Sequence, residues 1–129
     1  MKIIDVAVGV IKRDNQIFIS KRADELHQGG LWEFPGGKVE QQETVEQATA
    51  RELLEEIGIK VLEQSEFMLI EHDYGDKQVR LHIQLIDKFL NEPSGKEGQR
   101  TQWVAIENLH LLAFPAANKA IIEKLESVF

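Results

Sequence analysis

Gly37–Ile59, GKVEQQETVEQATARELLEEIGI, sets Glu43, Arg51, Glu52, Glu55 and Glu56 at fixed intervals and closes on Gly58. At about 100° per residue, offsets of three and four fall on one helical face, so Glu52, Glu55 and Glu56 share an arc of roughly 100°. Like charges at that spacing repel. With no lysine inside the helix to neutralise them, the three carboxylates are either left in water or given a cation, and the second reading is a metal site. Ala50, Leu53, Leu54 and Ile57 project to the opposite side as an apolar stripe suited to a sheet. Thr44 and Gln47 have capping-box spacing, and Gly58 stands where a left-handed closing residue belongs. A helix is therefore predicted from about Val45 to Ile57.

Upstream, Ile4, Val6, Val8 and Val10 alternate with Asp5, Ala7 and Gly9, which predicts a strand with one strongly buried face. Arg13 to Asn15 form a turn into a second strand, Gln16–Lys21, with Ile17 and Ile19 on one side and Phe18 on the other. Residues 22–30 lack a period and end in two glycines, so they read as a loop before a short strand at Trp32–Phe34 and a sharp turn at Pro35–Gly37. Downstream, Val61–Asp73 is strand-like, Tyr74–Lys77 a turn, and Val79, Leu81, Ile83 and Leu85 alternate. Asn91–Arg100 is polar, Thr101–Ile106 is a further strand with Trp103 in the core, and Pro115 can open a last helix that carries Ile121, Ile122, Leu125 and Val128 on one face. Strands, helix, strands, helix argues for an α/β sandwich, a mixed sheet with packed helices, rather than a doubly wound fold.

The chain has 129 residues, 43% of them hydrophobic, which suits one domain spanning 1–129 with a real core. A formal charge of −7 and an isoelectric point near 5.1 exclude the broad basic surface that a nucleic-acid polymer needs. A small phosphorylated ligand stays compatible, because a bridging metal reconciles acidic protein with anionic substrate. The absence of cysteine removes disulfides, thiolate metal sites and cysteine nucleophiles. No stretch approaches transmembrane length and Met1–Ile11 lacks the shape of an export signal, so a cytoplasmic protein with no membrane partner is expected.

Gly37, Glu43, Arg51, Glu52, Leu53, Glu55, Glu56, Gly58 and Ile59 match the signature of the Nudix hydrolases at every specified offset, and the chain is identified as a member of that family. AVGVI near the start, EFPGGK before the helix, GKEGQ at Gly95–Gln99 and FPAAN at Phe114–Asn118 extend the resemblance over nearly the whole chain. They make it most similar to the members that remove oxidised guanine nucleotides from the DNA-precursor pool. The resemblance implies a Nudix α/β/α sandwich, the mixed sheet lying between helices. It also implies magnesium-dependent hydrolysis, with Mn2+ as a substitute, of 8-oxo-dGTP and more weakly dGTP to monophosphate and pyrophosphate, by a monomeric enzyme that acts on a free nucleotide.

On the same resemblance, Glu52, Glu55, Glu56 and Glu97 supply carboxylate ligands, and the Gly36–Gly37 turn supplies a backbone carbonyl. Oxygen ligands and retained water suit magnesium. Either Glu52 or Glu97 could be the general base, and Glu52 is favoured. Arg51 braces Glu43 rather than reacting, and Lys38 is the candidate to stabilise departing phosphate. Arg22 matches a phosphate-contacting arginine, against the plain reading of a solvated charge beside Lys21. Asn118 matches the amide that reads the oxidised base, against a helix-capping role. His27, Phe34, Tyr74 and Lys77 complete the expected substrate contacts; Phe34 could equally be core. His72, His82 and His110 have no ligand spacing.

The segment GGLWEF, Gly29–Phe34, and Lys77 in place of an arginine depart from the oxidised-guanine pattern. GLWEF also occurs in Nudix enzymes acting on cytidine nucleotides, so a pyrimidine nucleoside triphosphate pyrophosphohydrolase is the alternative. A non-catalytic Nudix-like nucleotide-binding module is the other, and the intact glutamate set argues against it.

Overall fold

Both edges of β1 (Lys2–Arg13) are used, which makes it the hub of the sheet. In this computed structural model, which describes residues 2–24 and 29–129, the remaining strands are β2 (Gln16–Lys21), β3 (Trp32–Glu33), β4 (Gly36–Lys38), β5 (Lys60–Asp73), β6 (Lys77–Leu90) and β7 (Thr101–Ala105). One edge of β1 runs parallel to β6, from Lys2 opposite Lys77 to Ile11 opposite Ile86. Its other edge is shared: β4 pairs antiparallel with Val6–Val8, and β2 pairs with Ile11–Arg13. β5 closes the sheet beyond β6, and β7 lies against β2.

Side chains alternate across a strand, so each face of the sheet builds its own core. On one face Val8, Val10, Ile17, Ile19 and Ile83 pack with Ile121 and Leu125 of α2 (Lys119–Val128). On the other Ile11, Phe18 and Ile86 pack with Leu53 and Ile57 of α1 (Val45–Ile57). The mixed sheet between two helices is the α/β sandwich expected. Among the described residues no helix is long and apolar enough to cross a membrane.

α1 ends where the sequence places it. The Thr44 hydroxyl accepts from Gln47 N–H at 3.1 Å, the Gln47 side chain returns the bond to Thr44 N–H at 2.9 Å, and Gly58 closes the helix at φ 74°. Its faces differ from the expectation. Leu54 is 57% exposed, whereas Thr49, Leu53 and Ile57 are buried, so the anchoring face is rotated toward Glu52 and Glu56 rather than away from them. The carboxylates thus border the core instead of opposing it.

Two boundaries also move. Gly36 and Gly37 belong to β4 rather than to a turn, because the missing side chain lets the strands meet: a Cβ on Gly36 would lie 2.0 Å from the Ala7 carbonyl oxygen. The last helix begins at Lys119, after a separate 3-10 turn at Ala116–Asn118. Trp103 sits at the margin of the core, half-buried, with its ring edge-on to Phe18 at 5.2 Å.

Candidate active site

β4 and α1 meet through glycine, whose missing side chain leaves the helix carboxylates room against the strand. Gly36 N–H donates to Glu56 Oε2 at 3.0 Å, and a Cβ on Gly37 would lie 2.5 Å from the carboxyl carbon of Glu52. The two glycines therefore admit both helix carboxylates to the backbone of the strand.

Arg51 organises the opposite flank. Its Nε and Nη2 donate to the two Glu43 oxygens at 2.7 and 3.0 Å, its Nη1 to Glu52 Oε1 at 2.8 Å, and its Nη2 to the Lys38 carbonyl at 3.2 Å. Glu55 stands 3.6 Å away and is more exposed than Glu52. A fork-to-fork bond of this kind fixes geometry as well as charge. Hydrogen bonding to Arg51, helped by the Glu40 N–H, pulls the Glu43 carboxyl down to about 2, and the same bonds hold the Arg51 guanidinium above its usual range.

Glu97 reaches the cluster because its loop caps α1. The last carbonyls of a helix lack partners within it. Here Ser94 N–H donates to the Ile57 carbonyl at 3.0 Å, and Lys96 N–H to the Glu56 carbonyl at 2.9 Å. Burial pushes the Glu56 carboxyl up to about 8, the Glu52 charge adds to this, the Gly36 N–H opposes it, and Glu97 and Glu33 raise it further.

Glu33, on β3, is the acidic neighbour the sequence reading missed. Burial raises its carboxyl, against the pull of Arg22, whose Nη1 lies 3.7 Å from Glu33 Oε2. The one signal available was an acidic residue inside the apolar GGLWEF segment.

Three carboxylates, Glu52, Glu97 and Glu33, therefore act on the partly desolvated Glu56, and a divalent cation is what would relieve that repulsion. Oxygen donors throughout, in a chain without cysteine, fit Mg2+ or Mn2+ rather than a thiolate-seeking metal. Among the described residues no three acidic or histidine side chains already close on one point, so the donors stand as a cluster rather than a finished cage.

The expected substrate contacts divide. Arg22 and Glu97 line one cleft together with Asp24, Gln99 and Arg100, between the β2 end and the α1-capping loop. Lys38 is exposed at the end of β4, and its carbonyl accepts from Arg51. Asn118 precedes α2, and its side chain makes no capping bond, which leaves the amide available. Phe34 is 5% exposed and stacks on Phe114 at 5.2 Å, so its ring belongs to the core. Tyr74 and Lys77 do not join the carboxylates: they sit together at the β5–β6 turn, the ammonium 5.6 Å from the ring. Lys77 shares its face of β6 with Leu81, and Val6, Ile70 and Leu81 form a half-buried apolar strip there, on the α2 side. His27 lies outside the described residues. His82, assigned no site, bonds Asp5 at 2.8 Å beside Arg80.

Comparison with known proteins agrees with this fold. The NUDIX domain family matches residues 6–124. The 8-oxo-dGTP diphosphatase of Escherichia coli K12 is 42% identical over 127 residues, 98% of each chain. The CTP pyrophosphohydrolase of the same organism is 34% identical, over 91% of this chain and 85% of its own. A solved MutT structure, from work on Aliivibrio salmonicida and Vibrio cholerae, superposes with a TM-score of 0.90 at 41% identity, covering 99% of this chain and 100% of that one.

Proposed function

This chain belongs to the NUDIX domain family, and we propose that it is a magnesium-dependent nucleoside triphosphate pyrophosphohydrolase whose preferred substrate is 8-oxo-dGTP, with dGTP a weaker one. The observation that carries the reading is the convergence of Glu52 and Glu56 from α1, Glu97 from the capping loop and the glycine backbone of β4 on one corner. Glu52, Glu55, Glu56 and Glu97, with a Gly36 or Gly37 carbonyl, would hold Mg2+, for which Mn2+ can substitute. The metal, when bound, offsets charge on the phosphates and lowers the pKa of a water.

The chain's own residues supply the rest. Arg51 holds Glu52 by Oε1, which leaves Oε2 to accept the proton of the attacking water. Water adds to the β-phosphorus, the bond to the bridging oxygen of the nucleotide breaks, and the products are a nucleoside monophosphate and pyrophosphate. Arg22, in the cleft it shares with Glu97, and Lys38, exposed at the end of β4, would supply cations to the phosphate oxygens. The Asn118 amide carries both a donor and an acceptor for a purine edge, and the apolar strip of Val6, Ile70 and Leu81 would offer the base a face. Removing 8-oxo-dGTP from the precursor pool would prevent replication errors, as a monomer working in the cytoplasm.

A substrate panel with Mg2+ tests this: 8-oxo-dGTP should have the highest kcat/KM and release pyrophosphate. Release of orthophosphate alone would remove the cleavage site. A higher kcat/KM for CTP would favour the second reading, a pyrimidine enzyme, for which the GGLWEF segment and the 34% identity to a CTP pyrophosphohydrolase speak.

A further inference from the structure

We propose that Gln99 is a positioning residue whose side-chain amide sets the loop carboxylate Glu97 against the helix carboxylate Glu56; this rests on the reading of Glu97 as a metal ligand. Gln99 Nε2 donates to the Glu56 carbonyl at 3.0 Å, and Gln99 Oε1 accepts from Glu97 N–H at 2.9 Å. One amide thus ties the backbone of one ligand to the backbone of the other.

The bond to Glu56 is not needed to satisfy the helix end. That carbonyl already accepts from Lys96 N–H, so the added donor leaves the capping account unchanged and instead fixes where the loop turns. Glutamine is the residue type that can do both jobs, because one planar group carries a donor and an acceptor; a carboxylate lacks the donor and a hydroxyl lacks the reach.

The surrounding glycines are built for this clamp. Gly98 takes φ +80°, which reverses the chain between Glu97 and Gln99. A Cβ on Gly95 would lie 2.2 Å from the Gln99 carbonyl oxygen and 3.0 Å from Gln99 Oε1, so the loop closes around the Gln99 side chain. Gln99 also lines the cleft shared by Arg22 and Glu97. Partners that orient a ligand typically change metal affinity or activity by roughly 10–100-fold when lost.

The test is Mn2+ binding to the nucleotide-free protein, read by electron paramagnetic resonance, for Gln99→Ala, Gln99→Asn, Glu97→Gln and the Gln99→Ala/Glu97→Gln pair. Gln99→Asn keeps the chemistry but cannot span both partners, and it carries the test if the alanine variant does not fold. Either Gln99 variant should weaken Mn2+ by roughly ten-fold. In the Glu97→Gln background Gln99→Ala should add less than about two-fold, because a residue acting through Glu97 has nothing left to position. Full additivity, or unchanged Mn2+ affinity in Gln99→Asn, overturns the proposal. If Glu97→Gln alone leaves Mn2+ binding intact, the ligand reading itself falls and this inference with it.

Discussion

The Glu52 carboxylate lies directly against Gly37: a Cβ built on Gly37 would stand 2.6 Å from Glu52 Oε2 and 2.7 Å from Oε1. The carboxylate proposed to take the water proton is thus seated directly on the backbone of β4. Gly37→Ala should push it aside, and a misplacement of about 1 Å can cost roughly 100-fold in rate. We expect kcat to fall by about that factor while circular dichroism stays native. An alanine variant with wild-type kcat would show that the Glu52 position is not rate-determining.

Glu52→Gln keeps the shape and the Arg51 contact but removes the proton acceptor. Turnover should drop by roughly 100- to 10,000-fold, the usual worth of a general base, with melting temperature little changed. Activity near wild type would transfer that role to Glu97.

Metal binding should release protons, because burial and the Glu52 charge hold the Glu56 carboxyl at about 8. Below that pH the ion competes with a proton, so apparent Mg2+ affinity should rise between pH 6 and 8, by at most about ten-fold per pH unit, and level off above. The sign for metal-free stability is the reverse: a carboxyl with a raised folded pKa favours folding below about 4.5, and that contribution is lost as pH rises through about 8. Calorimetric titration in two buffers of different ionisation enthalpy measures the release. Identical apparent heats in both would contradict it.

The Glu43–Arg51 bond predicts the opposite pH dependence. With Glu43 lowered to about 2, its contribution is present above about 4.5 and lost as pH falls toward 2. Arg51→Gln should therefore melt earlier than wild type at pH 7, and the gap should narrow on acidification. A gap that is constant with pH would assign the loss to packing alone.

Asn118→Ala should collapse the preference for 8-oxo-dGTP over dGTP by ten-fold or more, roughly the discrimination a site loses with a buried polar contact, while leaving kcat on dGTP close to wild type. An unchanged ratio would move base reading to other residues.

The carboxylate pattern of α1 was legible because its information is local. Helical spacing places Glu52, Glu55 and Glu56 together whatever surrounds them, and the Thr44–Gln47 box and Gly58 mark the ends by bonds made within a few residues. The rotation of the buried face was not legible. Leu54 and Thr49 exchange the places that hydrophobicity assigns them, because the sheet packs α1 from the Leu53 side and leaves Leu54 in water.

Sequence by itself determined the alternating strands, the capped helix, the acid set and the family they resemble, since each depends on residue type at short, fixed spacing. Only the tertiary structure decided which distant groups come beside the helix carboxylates: Glu33 from β3, and the Gln99 clamp that bridges a loop and a helix end. Those relationships depend on how the elements pack on the sheet, and no local period encodes that.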